Sequence, residues 1–348
     1  MKFGGTSVGS AERIINLSKI VKDNIDKNPI VVVSAFNGVT DHLINLAYNA
    51  LKGEVNLDWI VERHLKAIEE LGLSFEIVKD EFNELEIVLK GISYLKEVNP
   101  RILDLVMSFG ERISSKIVAE YLKETGINAK QFNAYDIGLI TDSNFGNAEV
   151  LEQSYENINK HLSSLKDCIP VITGFIGEDP KGRITTLGRG GSDYTATIIG
   201  AAMNVEEVQI WTDVDGVMTA DPKVCPNAKI IEMLTYEEAH ELAYFGAKVL
   251  YPKTILPAKK KNIPIRILNS FNPSKKGTYI VPDVKRERKV IAIVSKKNIN
   301  VINIHDPKMS LAHGYLYRIF EVFNKHKMPV DLISTSEVNV SLTFESKY

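Results

Sequence analysis

Only two cysteines occur in the 348 residues, Cys168 and Cys225, and they lie far apart in the chain. That excludes a disulfide framework and any Cys-based zinc spacing, and a reducing cytoplasm is the expected compartment. The seven histidines fall in no metal-ligand spacing and beside no Ser or Cys nucleophile motif. Each is expected to be a packed or surface residue, and no protein-held metal is expected. Long apolar runs are missing too. No stretch reaches membrane-spanning length and no signal-peptide core opens the chain, so an intracellular protein with no membrane partner is expected. Charge is nearly balanced, 42 basic against 44 acidic residues for a net charge of -2. Nucleic acid and anionic membranes are therefore excluded as main partners. The short basic runs Lys259-Lys260-Lys261 and 285–289 read as solvated helix ends or linker and are assigned no function.

What the chain does have is enough length and apolar content, 44% hydrophobic, to bury the cores of two or more domains. The stretch Thr185-Thr186-Leu187-Gly188-Arg189-Gly190-Gly191-Ser192-Asp193-Tyr194-Thr195-Ala196 organises the rest. Three glycines so close together permit the φ > 0 geometry that turns successive N–H groups into one concavity, an anion nest. Ser192 is read as the N-cap of a small-residue helix whose positive end faces that nest, so the site is expected to bind phosphate. It is neither a P-loop nor a Gly-x-Gly-x-x-Gly turn. Arg189 and Asp193 flank the glycines with a carboxylate clamp and an acidic partner for a metal or an ammonium. On its own, such a turn is more often a plain strand-to-helix connection.

From the N-terminus, Lys2-Phe3-Gly4-Gly5-Thr6-Ser7 reads as a strand end and glycine turn leading into a helix, with Lys2 placed either to reach a held phosphate or to sit solvated on the surface. Pro29-Ile30-Val31-Val32-Val33-Ser34 has the β-branched pattern of a buried parallel strand. Ser34 to Asp41 leave its C-terminal end, where open α/β sheets place ligands. Helices are predicted at 41–52, 57–71, 75–98 and 101–125 from their 3.6-residue apolar periods, and acidic residues such as Glu81 on them are expected on solvated faces. Gly110 interrupts the last helix and marks close packing or ligand approach. Beside it, Glu111 reads as a paired surface carboxylate or as a receptor for an ammonium. Strands are predicted at 127–132, 169–175 and 207–212, with a helix at 154–165. Thr235 is expected to cap a further helix, and 263–268 supplies another strand. The charged segment 281–289 suits a linker between a body at 1–280 and a unit at 290–348. In that unit, strands at 290–295, 299–304, 330–335 and 338–344 and a helix at 311–326 form most of a ferredoxin-like fold.

Taken in order, Lys2-Phe3-Gly4-Gly5-Thr6-Ser7, Val33-Ser34-Ala35, Ser108-Phe109-Gly110-Glu111-Arg112, Gly174-Phe175, the Gly188–Asp193 loop, Trp211-Thr212-Asp213-Val214-Asp215-Gly216 and Phe245-Gly246-Ala247-Lys248 resemble the aspartate kinases of the amino acid kinase family. The resemblance implies an α/β three-layer sandwich with a mostly parallel central sheet, followed by a partial ferredoxin-like ACT regulatory module. It implies transfer of the γ-phosphoryl group of ATP, with Mg²⁺, to the side-chain carboxylate of L-aspartate. A carboxylate is ionised at pH 7, which agrees with a site offering lysines and N–H groups in place of a general base.

By similarity, Lys2 stabilises the transferring group and Asp193 holds Lys2. Gly4, Gly5, Thr6, Gly190 and Gly191 cradle phosphates, and Lys248 contacts them. Arg189 takes the α-carboxylate and Glu111 the α-ammonium of aspartate, in a pocket completed by Ser34, Thr40, Phe175 and Ser192. Thr212, Asp213, Met218 and Lys223 lie near the nucleotide, the last two standing where many relatives carry Tyr and Arg. Relatives carry two ACT modules, bind lysine or threonine as effector and pair through these modules, so a homodimer or higher homo-oligomer is expected. The chain ends within the first module, so an intact effector site is not expected in one chain. Only Met1 precedes Lys2, which predicts a short first strand. Glutamate kinase and a catalytically weak amino-acid sensor are the alternatives.

Overall fold

The computed structural model describes residues 1–246, 250–286 and 290–346, which divide into two compact units, Met1–Ile293 and Val294–Tyr348. The first half of the larger unit contains β1 (Lys2–Phe3), α1 (Gly5–Val8), α2 (Ala11–Lys22), β2 (Val31–Val33), α3 (Val39–Leu51), α4 (Asp58–Glu70), α5 (Lys79–Leu95) and α6 (Pro100–Glu124). It continues with β3 (Ala129–Phe132), α7 (Gln153–Ser164), β4 (Ile169–Thr173), β5 (Ile176–Glu178), β6 (Ile184–Thr186) and α8 (Gly191–Met203). Then follow β7 (Val208–Thr212), β8 (Met233–Thr235), α9 (Tyr236–Tyr244), α10 (Leu256–Lys261), β9 (Ile265–Asn269) and β10 (Thr278–Val281).

Eight of these strands form one sheet in the order β3-β4-β2-β1-β7-β9-β10-β8, parallel from β3 to β9, with β10 antiparallel to β9. Side chains alternate across it, as the two-residue period of a strand requires. Val31 and Val33 belong to one core, with residues of α2 to α6, whereas Val32 belongs to the other, with residues of α7 to α10. Helices therefore cover both faces, which gives the three-layer sandwich. Local signals agree with the ends of these helices. Asn99 accepts the Ile102 N–H at 3.1 Å with Pro100 at the first helical position of α6, and Thr235 and Glu238 form a reciprocal capping box on α9.

Although β1 has only two residues, it is paired on both sides: Lys2 is in register with Val32 and Ile210, and Phe3 with Val33 and Trp211. Two expectations need correction. Glu81 is buried instead of solvated, with Lys116 Nζ 2.6 Å from its Oε1. Residues 290–295 form no strand, because Ile291 and Ala292 pack against the core of the larger unit and the Ile293 N–H donates to the Thr219 carbonyl at 2.9 Å.

The smaller unit has β11 (Ile299–His305), α11 (Tyr315–Lys325), β12 (Ile333–Thr335) and β13 (Asn339–Glu345). Its antiparallel sheet runs β11-β13-β12, and Phe323, Val340, Leu342 and Phe344 form its core. Among the described residues no helix is long and apolar enough to cross a membrane.

Candidate active site

All of the parallel strands end on one edge of the sheet. Strands β2 to β4 lie on one side of β1, and β7 to β10 lie on the other. The chain thus changes direction at β1 and β7, and the crevice beyond their C-terminal ends is where such sheets accept ligands. Gly4 and Gly5 leave β1 there, and Thr212 and Asp213 leave β7.

Over this edge opens a cavity of about 600 Å³ lined by Lys2, Ser34, Thr40, Glu111, Phe175, Arg189, Ser192 and Asp193, together with Gly5, Gly190 and Gly191. Its lining comes from β1, the loop from β2 into α3, α6, the connection from β4 to β5 and the loop from β6 into α8. A larger cleft, about 750 Å³, opens at the opposite strand ends, but none of the candidate site residues lines it.

The glycine loop bends as its composition requires. Gly190 has φ +73° and is itself the N-cap of α8, so Ser192 is not the cap; it lies inside the first turn. A side chain at Gly190 is excluded twice, by its left-handed backbone and by Tyr251, whose Cβ lies 2.6 Å from where a Cβ would stand. Phe175 also holds a left-handed φ of +68°, which costs a non-glycine residue and recurs at ligand sites.

Two charged arrangements face each other across the cavity. Lys2 Nζ lies 2.6 Å from Asp193 Oδ1, each side chain nearly buried. Oδ1 is not aligned as a hydrogen-bond acceptor, so the contact is Coulombic. Glu111 is only 3% exposed; its Oε1 accepts the Ala35 N–H at 3.1 Å and its Oε2 is buried without a hydrogen-bond partner. Burial pushes this carboxyl up to about 8, with the Ala35 N–H and Lys2 acting in the opposite direction. Arg189 is exposed at the mouth. An unpaired buried acceptor beside an exposed guanidinium suits a ligand that carries both an ammonium and a carboxylate. Glu111 is therefore not a paired surface carboxylate. Gly110 is explained by packing, since a Cβ there would stand 2.7 Å from Ala35 Cβ.

The residues expected near a nucleotide are less gathered. Gly4 uses its N–H on the Trp211 carbonyl at 3.1 Å, and Gly191 its own on the Gly188 carbonyl at 3.0 Å. Thr6 lies on α1. Thr212 Oγ1 donates to Asp213 Oδ1 at 3.2 Å beside β1, whereas Met218 bridges to Ile230 and Lys223 is exposed with its N–H on Asp221 Oδ1. Lys248 lies outside the described residues.

One residue of this neighbourhood has no counterpart among the expectations. Asp104 of α6 is fully buried, and its carboxylate accepts the N–H groups of Gly146 and Thr186 and the Thr186 hydroxyl. A lone Asp two turns before Glu111 on a largely buried helix was the available signal.

A sequence model described as the amino acid kinase family matches residues 1–269. Aspartokinase 3, chloroplastic, of Arabidopsis thaliana is 41% identical over 99% of this chain and 64% of its own length, and the lysine-sensitive aspartokinase 3 of Escherichia coli K12 is 35% identical over 99% and 78%. The chain therefore spans somewhat less than two thirds of the plant relative. Among solved structures, E. coli aspartokinase III in complex with aspartate and ADP superposes with a TM-score of 0.86 at 33% identity, over 99% of this chain and 78% of the other. The same enzyme in complex with lysine and aspartate gives 0.81 at equal coverage. A matched family model over most of the chain and this degree of identity to the bacterial enzyme together make the chain a member of the amino acid kinase family, in its aspartokinase branch.

Proposed function

We propose that this chain is an ATP-dependent aspartate kinase. The observation that carries the reading is the cavity in which Glu111 and Arg189 offer a zwitterion receptor beside the Lys2–Asp193 pair and the glycine loop. L-Aspartate binds with its α-ammonium on Glu111 and its α-carboxylate on Arg189, against Ser34, Thr40, Phe175 and Ser192. Its side-chain carboxylate then points toward Lys2. One oxygen of that carboxylate attacks the γ-phosphorus of ATP, the bond from that phosphorus to the bridging oxygen breaks, and ADP leaves with the bridging electrons. The products are 4-phospho-L-aspartate and ADP. The nucleophile needs no base, so catalysis is alignment plus neutralisation of charge on the transferring group. Lys2 supplies that neutralisation, and Asp193 keeps its ammonium in place.

The nucleotide lies between the turns after β1 and β7, on Gly4, Gly5, Thr6, Gly190, Gly191, Thr212 and Asp213, with Met218 and Lys223 toward its outer side. Among the described residues no three His, Cys, Asp or Glu side chains stand together as a metal-holding group. Mg²⁺ enters with the nucleotide substrate, carried on its phosphates, in keeping with the reluctance of this ion to shed water for protein cages.

We assign the larger unit to catalysis and the smaller to an ACT-like regulatory module that pairs with that of a second copy. The E. coli relative has been solved with lysine, which makes lysine the first effector to test here, ahead of threonine. Both cysteines are free, which suits a reducing compartment such as the cytoplasm. ADP release measured with ATP and magnesium in the presence of aspartate or glutamate tests the reading: release with aspartate is expected, and equal or faster release with glutamate contradicts it.

A further inference from the structure

We propose that Asp104 is a positioning residue for the aspartate end of the site, acting through the loop that carries Arg189; this rests on the reading of the cavity given above. Asp104 is seven residues before Glu111, so the two carboxylates project from the same side of α6, two turns apart. Glu111 faces the cavity, whereas Asp104 is spent on its wall. Its Oδ2 accepts the Gly146 N–H at 2.9 Å and the Thr186 N–H at 2.8 Å, and its Oδ1 accepts the Thr186 hydroxyl at 2.8 Å.

These partners are the two supports of the glycine loop. Thr186 ends β6, two residues before Gly188, and its carbonyl accepts the Ala148 N–H at 2.9 Å. Gly146 leads into Asn147, whose Oδ1 lies 2.6 Å from where a Cβ at Gly188 would stand. One buried carboxylate therefore ties the 146–148 turn and the end of β6 together directly beneath Gly188, and Arg189 is the next residue. Both Gly146 and Thr186 line the cavity as well. Removing the carboxylate leaves the Thr186 amide and hydroxyl buried without an acceptor and frees the exposed Gly146 turn from β6, and the buried Thr186 groups recover partners by moving the wall on which Arg189 stands. Gly190 and Gly191 follow on the same loop, but Gly190 is the N-cap of α8 and packs against Tyr251 and Thr254, and Lys2 and the Gly4-Gly5 turn are held by β2 and β7, so the phosphate end depends on Asp104 less than the aspartate end does.

The test is steady-state kinetics on the full chain with Asp104→Ala and Asp104→Asn. Misplacement of a clamp by a fraction of an ångström predicts that Asp104→Ala raises the KM for aspartate about tenfold or more while the KM for ATP stays within about twofold. Asp104→Asn keeps the shape and one carbonyl oxygen for the two amides, and the Thr186 hydroxyl can reverse to accept from its amide nitrogen, so its aspartate KM is expected to rise only about threefold. An aspartate KM unchanged in both variants, or a parallel rise in both KM values, overturns the inference, because a merely structural carboxylate lowers thermal stability without separating the substrates. If Asp104→Ala does not fold, Asp104→Asn decides: a rise confined to aspartate supports the inference and no rise defeats it. A wild-type chain that turns over ATP with glutamate but not with aspartate defeats the substrate reading and this inference together. A wild type active on aspartate beside unaffected variants defeats the inference alone.

Discussion

Lys2 Nζ stands 2.6 Å from Asp193 Oδ1, and this pair joins the central strand β1 to the first turn of α8. The ammonium is thus fixed at the one edge where the glycine loop and the β1 turn meet. Lys2→Ala is predicted to lower kcat by about a hundredfold or more with a small change in the KM for aspartate, as expected for loss of a donor that acts on developing charge. Lys2→Arg restores little, because a planar fork does not replace a point charge held by one carboxylate oxygen. Single-turnover rates at saturating substrates measure both.

With aspartate bound as proposed, Glu111 is predicted to make its binding depend on pH. Its carboxyl is pushed up to about 8 by burial, so below that value the free site holds a neutral acid, and binding of the α-ammonium expels the proton. The KM for aspartate is predicted to fall as pH rises toward 8 and to level off above it, and calorimetry at pH 7 in buffers of different ionisation enthalpy detects the released proton. The stability consequence has the opposite sense. The folded pKa lies above the unfolded one, so the folded state binds the extra proton and loses stability as pH rises between the ordinary carboxylate range and 8. Glu111→Gln is predicted to flatten this loss, with Tm above wild type at pH 9, while aspartate binding is lost.

Gly110 is closed to a side chain, since a Cβ would stand 2.7 Å from Ala35 Cβ and 3.4 Å from Val39 Cγ1. Gly110→Ala is predicted to destabilise the protein by about 1–3 kcal/mol, the usual cost of overpacking, in spite of the gain in helix propensity. Chemical denaturation gives the value, and a stability equal to wild type contradicts the packing described here.

Asp179 ends the β5–β6 hairpin as the partner of Arg183 Nε at 2.8 Å and of Ser143 Oγ at 2.8 Å. The Arg183 guanidinium holds its carboxyl well below the usual carboxylate range. A depressed pKa contributes stability that is present above the unfolded value and lost as pH falls below it. Asp179→Asn is therefore predicted to lower Tm at pH 7, the difference from wild type beginning to shrink only below about pH 4, near the ordinary Asp pKa, and closing toward the still lower folded value. Tm against pH for the two proteins shows the convergence or its absence.

Much of this was legible in the residues. The Val31–Val33 run and the helical periods of α3 to α6 define the layers, and the glycine loop, Lys2, Ser34, Glu111 and Phe175 announce one cavity because each stands at the end of a strand or at an interruption of a helix. What was not legible depends on tertiary contact. Ser192 has the chemistry of a cap, yet the left-handed Gly190 takes that place. Glu81 reads as solvated until Lys116 on the neighbouring helix covers it. Residues 290–295 have strand composition, yet Ile291 and Ala292 pack within the larger unit itself in place of pairing. Asp104 carries no local pattern, since its partners are 42 and 82 residues away.

The central claim is that the acceptor is the side-chain carboxylate of aspartate, and trapping the product with hydroxylamine tests it most directly. Incubation with ATP, magnesium and aspartate is predicted to give aspartate β-hydroxamate in an amount matching the ADP released, with Lys2→Ala near background and glutamate giving little. ADP release without any hydroxamate, or more hydroxamate from glutamate than from aspartate, would contradict the account.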